Sequence, residues 1–445
     1  MLAKIRVIGA GLAGSEAAWQ AARQGAEVEL FEMKPQKHTP AHHADTFAEL
    51  CCSNSLRSAQ LSNAVGVLKE EISRLGSLIM EAAYATEVPA GGALAVNRED
   101  FSSYVTEKIK SHPAITVREE EVTEIPNDDI PTVIATGPLT SDALAREIVR
   151  LTGDEGLHFF DAAAPIVEAS SIDYSKAFFA SRYGKGNGDD YLNCPLSEEE
   201  YRAFYEALTT AELAPLKEFD RESQKDLTVF EGCMPVEVMA KRGYDTLRFG
   251  PMKPVGLPLP DTGKDAYAIL QLRKENIDGT LYNMVGFQTH LTFPEQRRVF
   301  RMIPGLESAE FARYGVMHRN TYLHSPGFLG DNYATLMRPT LYFAGQMTGV
   351  EGYVESTASG FVAGLSAARQ ALGLEPIPFD ATTVTGALAQ YVKSGSNTKF
   401  QPMNAGFGLL APFAQKIKGG KQARNDAYAA RALAEIDRLK GKYAL

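Results

Sequence analysis

The strongest constraint on this chain is a glycine-rich turn close to its N-terminus. A short apolar run ends at Ile8, a Gly-x-Gly-x-x-Gly turn follows, and an alanine-rich stretch with helical spacing comes directly after it. In such a unit the first glycine permits the tight turn, the second lets the backbone approach a pyrophosphate, and the third lets the helix pack closely on the strand. The phosphates then lie at the helix N-terminus. The turn predicts a dinucleotide site with the candidate residues Gly9, Ala10, Gly11, Leu12, Ala13 and Gly14.

A second apolar run, residues 26–31, ends in the acid Glu32. A carboxylate about 20 residues after the glycines is placed to accept hydrogen bonds from an adenosine ribose. Glycines make turns in many folds, so the three glycines alone are weak evidence. Here the strand, the glycines, the helix and the acid follow in the expected order. This context favours a dinucleotide-binding unit over an unrelated turn.

The composition excludes several classes of protein. The chain has 445 residues, of which 44% are hydrophobic and 22% charged, as expected for a globular protein. No apolar run approaches the roughly 18 residues that a membrane span needs, and the chain begins directly with a strand, so we expect neither a membrane segment nor a targeting segment. The four cysteines and eight histidines lack metal-ligand spacing. We therefore expect a cytoplasmic protein with reduced thiols and no metal site.

The charge is unevenly distributed along the chain. The formal net charge is −10, yet the segment from Lys393 to the C-terminus carries ten Lys and Arg residues and only three Asp and Glu residues. A basic tail on an acidic body is typical of a surface that binds a polyanion. A solvated helix face explains the same charges, and charge alone does not separate the two interpretations.

Two later segments distinguish between the possible dinucleotides. Residues 132–137 read as a buried strand that ends in Ala-Thr-Gly, and residues 340–346 as a second strand that ends in Ala-Gly-Gln, followed by a helix of small residues from Ser356. A late return to the cofactor fold is typical of two-lobed FAD proteins and not of NAD dehydrogenases. A second Gly-x-Gly-x-x-Gly after a strand is absent. These segments favour FAD and add Thr136, Gly137, Gly345 and Gln346 to the candidate cofactor residues.

The predicted fold is α/β, with an FAD-binding Rossmann-like domain of the glutathione-reductase type, an inserted α+β domain and a helical C-terminal segment. The expected boundaries are 1–154 and 321–372 for the two parts of the FAD-binding domain, 155–320 for the insertion, and 373–445 for the basic helical segment. Within the first part, the spacing predicts a helix over 62–85, a helix N-cap at Asn97, and edge strands or a hairpin at 115–118 and 122–125.

Two cysteines have sequence contexts that suggest chemistry. Cys52 precedes Ser53-Asn54-Ser55 and the cation Arg57, which would favour a thiolate, and Cys233 lies between Gly232 and Met234-Pro235, where a kink could project it into a cleft. The alternative for both is the small buried residue that most free cysteines are, and we expect that role for Cys51 and Cys194. His318 is a candidate for lining the cleft or for a structural hydrogen bond.

Several strings resemble one known family along nearly the whole chain. Three of them are specific: Ser53-Asn54-Ser55, the Gly-Pro-Met-Lys-Pro-Val-Gly-Leu run at 250–257, and His-Arg-Asn-Thr-Tyr at 318–322. The chain resembles the bacterial folate- and FAD-dependent tRNA (uracil-5-)-methyltransferases, which are relatives of the larger glucose-inhibited division protein A flavoproteins. The chain lacks room for the long C-terminal helical domain of those larger relatives. Further matching strings lie at 7–16, 30–33, 52–56, 89–96, 191–195 and 233–237.

The resemblance implies a reaction and roles for particular residues. Uridine, U54 of the tRNA T-loop, would be methylated at C5, with 5,10-methylenetetrahydrofolate as carbon donor and FAD, reduced by NAD(P)H, as carbon carrier and reductant. By position, Cys233 would attack uracil C6, which a soft thiolate suits. Cys52 would assist carbon transfer beside the flavin, and His318 would pack against the pterin. The basic segment after Lys393 would contact RNA phosphates. Cys51 departs from the family pattern, in which an apolar residue is usual.

Two alternatives remain open at the level of sequence. The same folate and FAD chemistry can act on ribosomal RNA, because a branch of the family methylates that substrate. The chain can also be an NAD(P)H-dependent flavin oxidoreductase without an RNA substrate.

Overall fold

The computed structural model describes residues 3–39, 41–153, 157–215, 234–394, 400–415 and 417–445, with the backbone only for residues 157–161, 318 and 319. The strands are β1 Lys4–Ile8, β2 Glu27–Glu32, β3 Ser55–Ser58, β4 Glu87–Val88, β5 Ala93–Val96, β6 Ile115–Glu119, β7 Thr132–Ile134, β8 Leu157–Ala162, β9 Ile166–Glu168, β10 Phe178–Phe179, β11 Tyr191–Leu196, β12 Ala268–Lys274, β13 Leu281–Met284, β14 Phe311–Arg313, β15 Met317–Tyr322 and β16 Leu341–Phe343. The helices are α1 Leu12–Arg23, α2 Ala64–Arg74, α3 Leu78–Ala85, α4 Arg98–Ser111, α5 Asp142–Thr152, α6 Glu198–Thr210, α7 Val236–Lys241, α8 Thr246–Phe249, α9 Phe293–Phe300, α10 Tyr353–Ala371, α11 Val384–Ser394 and α12 Gly420–Tyr443.

The fold has two units, each built around one large sheet. The first unit contains the glycine turn and is centred on a parallel five-stranded sheet with the order β16-β7-β1-β2-β6. In β1 the buried Ile5 and Val7 alternate with the more exposed Lys4 and Arg6, whereas β7 is buried throughout. Val7 of β1 pairs with Leu30 of β2 and with Val133 of β7. The strand at 341–343 joins this sheet although it lies about 200 residues after β7 in the chain. The predicted α/β class is confirmed.

Helices α1 and α10 pack against each other with their backbones in contact. A Cβ added to Gly360 would lie 2.1 Å from the carbonyl oxygen of Ala13, and one added to Gly364 would lie 2.3 Å from that of Ala17. Only glycine fits at these two positions of α10, because a methyl group needs more than 3 Å from a backbone oxygen. The small residues of this helix therefore hold it directly against the helix that follows the glycine turn.

A second sheet is antiparallel, with the order β10-β11-β12-β13-β9-β14. It is built from residues between β7 and β16 of the first sheet, so the chain leaves the parallel sheet and returns to it. Helices α6, α7 and α9 contribute to its separate apolar core, whose fully buried members include Leu192, Tyr201, Leu270, Phe287 and Phe300. This arrangement agrees with an insertion, while the boundaries 155 and 320 stay predictions.

The C-terminal segment packs on the first unit through buried contacts. Residues of α11 and α12, among them Leu388 and Ile436, belong to the same apolar core as β1 and α2. The carboxylate of Glu71 on α2 accepts the backbone N–H groups of Val384 at 2.7 Å and of Thr385 at 2.9 Å. Glu71 thus satisfies N–H groups at the start of α11, which have no partner within the helix.

Two local predictions were wrong and two were confirmed, one of them the edge strand at 115–118, which is β6. The predicted helix over 62–85 is interrupted at Gly76, whose φ of +81° is unfavourable for other residues, and Ser77 then caps α3. Residues 122–125 form no strand, since β6 pairs alone and in parallel with β2 at the sheet edge. Asn97 caps α4 as predicted, accepting the N–H groups of Glu99 and Asp100. Within the described ranges, no helix combines the length and apolar character needed to cross a bilayer.

Candidate functional site

The predicted cofactor residues, apart from Gly14, line one cleft at the carboxyl ends of the parallel strands, the edge at which open α/β sheets bind ligands. The cleft encloses about 1380 Å³, including space open to solvent. Among its lining residues are Gly9, Ala10, Gly11, Leu12, Ala13, Glu32, Thr136, Gly137, Gly345 and Gln346, together with Cys51, Cys52 and Tyr353.

The three glycines of the turn are required for different reasons. Gly9 has a φ of +96°, and a Cβ there would lie 2.7 Å from the carbonyl oxygen of Ala135. A Cβ on Gly14 would lie 1.7 Å from the carbonyl oxygen of Gly9. Gly11 has an ordinary φ of −71°, and a Cβ there would meet no protein atom within 4 Å. The protein itself therefore demands glycine at 9 and 14, whereas at 11 the open space beside the helix N-terminus is what a side chain would fill.

Glu32 is buried and binds the turn directly. One carboxylate oxygen accepts the N–H of Ala10 at 2.8 Å, and the other accepts the N–H of Lys34 at 3.1 Å. These contacts hold the end of β2 against the glycine turn. A carboxylate oxygen can accept more than one hydrogen bond, so the bond to a ribose stays a prediction.

The later candidates come from the ends of β7 and β16. Thr136 shares a 2.6 Å hydrogen bond with Thr140, and Gly137 adopts a φ of +70°. Gly345, with a φ of +85°, donates its N–H to the hydroxyl of Ser359 at 2.7 Å. Both turns line the cleft.

Gln346 belongs to a buried polar group at the same end of the cleft. Its amide nitrogen donates to the hydroxyl of Tyr322 at 2.8 Å and to the carboxylate of Glu351 at 2.9 Å. Tyr322 in turn donates to Glu351 at 2.6 Å. With the amide nitrogen held inside the protein, the amide oxygen is the group that Gln346 can direct at a ligand.

Cys52 lies against the first residue of α10. Its Sγ is 3.0 Å from the phenolic oxygen of Tyr353, which also accepts the Cys52 backbone N–H at 2.9 Å. Because that oxygen already accepts the N–H, its own hydrogen is available to the sulfur. Burial, and then the nearby sulfurs of Cys52 and Cys51, raise the pKa of Tyr353 well above its usual value. Tyr353 therefore stays protonated, and its hydroxyl lies within hydrogen-bond distance of the Cys52 sulfur.

Arg98 anchors the loop that carries both cysteines. Its guanidinium donates to the carbonyl oxygens of Leu50 at 2.6 Å and Cys51 at 3.1 Å, and it pairs with the buried carboxylate of Glu275 at 2.6 Å. Arg98 also interacts electrostatically with Cys52. Burial, with the charges of Glu49 and Cys52, raises the pKa of Cys51 to about 12, so Cys51 remains a neutral thiol.

The Ser-Asn-Ser string is held from the second sheet. Arg273 of β12 donates to the side-chain oxygens of Asn54 and Ser53, each at 2.9 Å, and the amide nitrogen of Asn54 donates to the backbone oxygens of Val96 and Lys274. The two units of the fold therefore meet at this loop. Arg57, which the sequence placed beside Cys52 as its cation, instead pairs with Glu355.

Three other candidates have different outcomes. Cys233 lies outside the described residues. His318 lies in β15, where its backbone pairs with Asp161 of β8, and its side chain is outside the described part of the structure. Cys194 is fully buried in the second core, as expected, and burial, with the charge of Glu307, raises its pKa to about 12. Tyr353 was not predicted as a site residue because the helix of small residues was expected to begin at Ser356. Arg98, Arg273 and Glu275 were not predicted because their partners are distant in the chain.

Comparison with known proteins places the chain in a family. The family model described as glucose inhibited division protein A matches residues 4–375. The methylenetetrahydrofolate--tRNA-(uracil-5-)-methyltransferase TrmFO of Heliobacterium modesticaldum is 60% identical over 435 residues, which are 98% of this chain and 97% of that protein. The protein of the same name from Acetivibrio thermocellus is 59% identical over 443 residues, with 100% of both chains covered.

Solved structures agree on the fold. Aquifex aeolicus GidA in its form I crystal matches with a TM-score of 0.70 and 18% identity, covering 99% of this chain and 76% of that one. Its form II crystal gives a TM-score of 0.67 at the same identity, covering 98% and 73%. At this identity the likeness concerns the fold alone. The family match, the identity to curated relatives and the shared fold together establish that this chain belongs to the glucose inhibited division protein A family and, within it, to the TrmFO methyltransferases.

Proposed function

We propose that this protein methylates C5 of uridine in tRNA, at U54 of the T-loop, using 5,10-methylenetetrahydrofolate as carbon donor and NAD(P)H-reduced FAD, and that it does so in the cytoplasm. The observation that carries the proposal is that one cleft combines the glycine turn with a cysteine, Cys52, whose sulfur lies 3.0 Å from the hydroxyl oxygen of Tyr353. The names of the curated relatives support the same substrate and carbon donor.

The residues of the cleft fit FAD. The space beside Gly11 accommodates a pyrophosphate, and the first N–H groups of α1 have no partner within the helix and would donate to it. The turns at Gly137 and Gly345 would hold the remainder of the cofactor with backbone groups, with Gln346 directing its amide oxygen inward. Bound FAD would supply the hydride and carry the one-carbon unit.

Two cysteines would take part in the methylation of uracil, each in a different step. C5 of uracil becomes nucleophilic only after a group adds to C6, and a thiolate is suited to that addition. We assign this attack to Cys233 by its match to the family strings. Cys52, whose sulfur lies 3.0 Å from the hydroxyl of Tyr353, would act beside the cofactor, and His318 would pack against the pterin. Cys51 keeps its proton and takes no nucleophilic role.

The basic C-terminal segment would contribute phosphate contacts. Lys421, Arg424 and Lys442 on α12 are exposed to solvent, so their charges are accessible to a polyanion. Arg431 is different, because its guanidinium stacks over Phe413 at 4.4 Å and donates to a backbone oxygen. The proposed RNA contacts are therefore assigned to the exposed cations and not to the whole segment.

Nucleoside mass spectrometry tests the proposal. Unmodified tRNA is incubated with the enzyme, NADPH and methylenetetrahydrofolate, and we expect 5-methyluridine whose methyl carbon derives from labelled folate. Ribosomal RNA is the parallel substrate, and methylation of rRNA alone would move the activity to that RNA. NADPH oxidation without 5-methyluridine in either RNA would refute the proposal and favour a flavin oxidoreductase.

A further inference from the structure

The second unit presents an unusually exposed aromatic ring. Phe249, the last residue of α8, is 83% exposed, whereas its neighbour Leu247 is fully buried. Burying an aromatic ring is strongly favourable, so leaving one almost entirely in water costs stability that a partner can recover. Neither the FAD cleft nor the core of the second unit accounts for this ring.

A second exposed ring, that of Tyr183, lies against Gly256, which is seven positions after Phe249 in the chain. Tyr183 is 61% exposed, and its ring lies across Gly256, where an added Cβ would be 2.6–2.9 Å from three ring atoms. The N–H of Tyr183 also donates to the carbonyl oxygen of Gly256 at 3.0 Å. The ring is thus held by the backbone while much of its surface stays in solvent. Gly256 is needed there because any side chain would displace the ring.

A hydrogen bond joins the two segments that carry these rings. Arg182, beside Tyr183, donates to the carbonyl oxygen of Lys253 at 2.7 Å, which ties the loop at 181–186 to the segment 249–256. Six residues lie between Phe249 and Gly256, so their Cα atoms are at most about 25 Å apart. A ligand that contacts both rings must span up to this distance, which an RNA loop of several nucleotides can do.

The charge of this surface suits a polyanion. Residues 238–255 contain the cations Lys241, Arg242, Arg248 and Lys253 and one acid, Asp245, although the whole chain carries a net charge of −10. Asp245 is itself paired with Arg248 at 2.5 Å. Exposed aromatic rings between cations are the features that bind unpaired nucleic acid, because bases stack on the rings while cations follow the phosphates.

An open cleft lies beside Phe249. It is broadly open to solvent and is lined by Phe249, Arg242, Tyr244 and Met234, among others. Met234 directly follows Cys233 in the chain. The exposed ring therefore borders a cleft that also contains the sequence neighbour of the residue assigned to attack uracil.

We propose that Phe249 and Tyr183 form a stacking platform for unpaired bases of the RNA loop that contains the target uridine. The inference rests on the proposed function and extends it by naming the surface that holds the substrate. An enzyme that acts on a base must take that base out of its stack, which leaves neighbouring bases unstacked. The two rings would receive such neighbours, while Lys241, Lys253 and Lys185 contact the backbone.

Binding of two RNA probes to the FAD-containing protein tests the platform. The first probe is a T-arm hairpin, and the second is a fully paired duplex of equal length, both at one fixed salt concentration. We expect Phe249→Ala and Tyr183→Ala each to weaken hairpin binding about tenfold, the effect of removing one stacked base, and to leave duplex binding within twofold of wild type. Phe249→Trp and Tyr183→Phe keep a ring and should bind the hairpin as wild type does.

The controls separate this idea from misfolding and from the proposed function. Tyr84→Ala removes an exposed ring of another surface, on α3, and should not change binding. Flavin absorbance and the thermal midpoint check that each variant is folded. Wild-type hairpin affinity in both alanine variants, or equal weakening for hairpin and duplex, overturns the platform. Absence of 5-methyluridine with wild-type enzyme instead overturns the proposed function, whatever the binding data.

Discussion

The phenolic oxygen of Tyr353 lies 3.0 Å from Sγ of Cys52 and also accepts the backbone N–H of Cys52 at 2.9 Å. The two residues are 301 positions apart in the chain. This pair closes the loop that carries the cysteines onto the N-terminus of α10, and it supplies the sulfur with a protonated hydrogen-bond donor. The first prediction concerns that donor.

Tyr353→Phe should slow both 5-methyluridine formation and alkylation of Cys52 by iodoacetamide at neutral pH, each by about tenfold. A hydrogen bond to a charged group contributes about 1.5–3 kcal/mol, and its removal makes the thiolate less accessible. Mass spectrometry of the alkylated peptide measures the second rate separately for Cys52 and Cys51. Tyr342→Phe, which removes a hydroxyl bonded to Gln370 instead, is the matched control. An unchanged alkylation rate in Tyr353→Phe would contradict this role.

Gly11→Ala and Gly14→Ala should change different properties of the protein. The first should lower FAD affinity, and the second should lower stability. Gly11→Ala adds a methyl group to open space, so the unfolding free energy of the FAD-free protein should change by less than about 0.5 kcal/mol, while FAD affinity falls at least tenfold. Gly14→Ala places a methyl group against the carbonyl oxygen of Gly9 and should destabilise the FAD-free protein by about 1–3 kcal/mol. Urea unfolding and flavin titration measure the two effects. Normal FAD binding by Gly11→Ala would remove the main support for a pyrophosphate site at the glycine turn.

Glu71 should make the docking of the C-terminal segment depend on pH. Burial raises the pKa of this carboxyl from 4.5 to about 7, against the opposing effect of its hydrogen bonds to Thr385 and Val384. Because the folded pKa exceeds the unfolded one, its contribution to stability is fully present below about pH 4.5 and is lost as the pH rises through about 7.

The stability advantage of the wild type over Glu71→Gln should therefore decrease between pH 5 and 8, by up to about 3 kcal/mol. Chemical unfolding of both proteins across this range measures the difference. A difference that is constant with pH, or that grows as the pH rises, would show that Glu71 is ionised throughout.

Arg98→Met should destabilise the protein by about 3 kcal/mol or more, because it leaves the carboxylate of Glu275, only 4% exposed, without its partner. Removing both charges in Arg98→Met/Glu275→Leu should cost less than Arg98→Met alone. Urea unfolding of the two single variants and the double variant gives the coupling energy. Strict additivity would mean that the pair does not act as a buried unit.

Replacing Lys421 and Arg424 by Gln should reduce the salt dependence of tRNA binding. Removing one cation that binds a phosphate lowers the slope of log K against log salt by about 1, so the slope of the double variant should be smaller by about 2. The measurement is the tRNA dissociation constant at several salt concentrations. Asp437→Asn on the same helix, which removes an acid paired with Arg74, is the control for changes on this surface. A wild-type slope in the double variant would mean that other residues bind the phosphates.

Local patterns in the sequence were sufficient to predict the glycine turn, the buried strands β7 and β16, and the helix cap at Asn97. Each of these depends on residues within a few positions of one another, where backbone geometry and apolar spacing dominate. The same kind of pattern failed at 62–85, where Gly76 ends one helix, and at 122–125, where strand-forming residues find no partner strand. Pairing within a sheet depends on residues far away in the chain, so a strand-like segment alone does not determine it.

The sequence by itself therefore determined the family and the α/β class, and it predicted residues that line the cleft. Only the tertiary structure decided what surrounds Cys52. Tyr353 contacts Cys52 across 301 positions of the chain. Arg98 binds the same loop and is itself held by Glu275 across 177 positions. The cation expected from sequence, Arg57, pairs with Glu355 instead. The physical reason is that a buried charge takes whichever partner the packed fold brings within hydrogen-bond distance, and neighbours in the sequence have no priority over that partner.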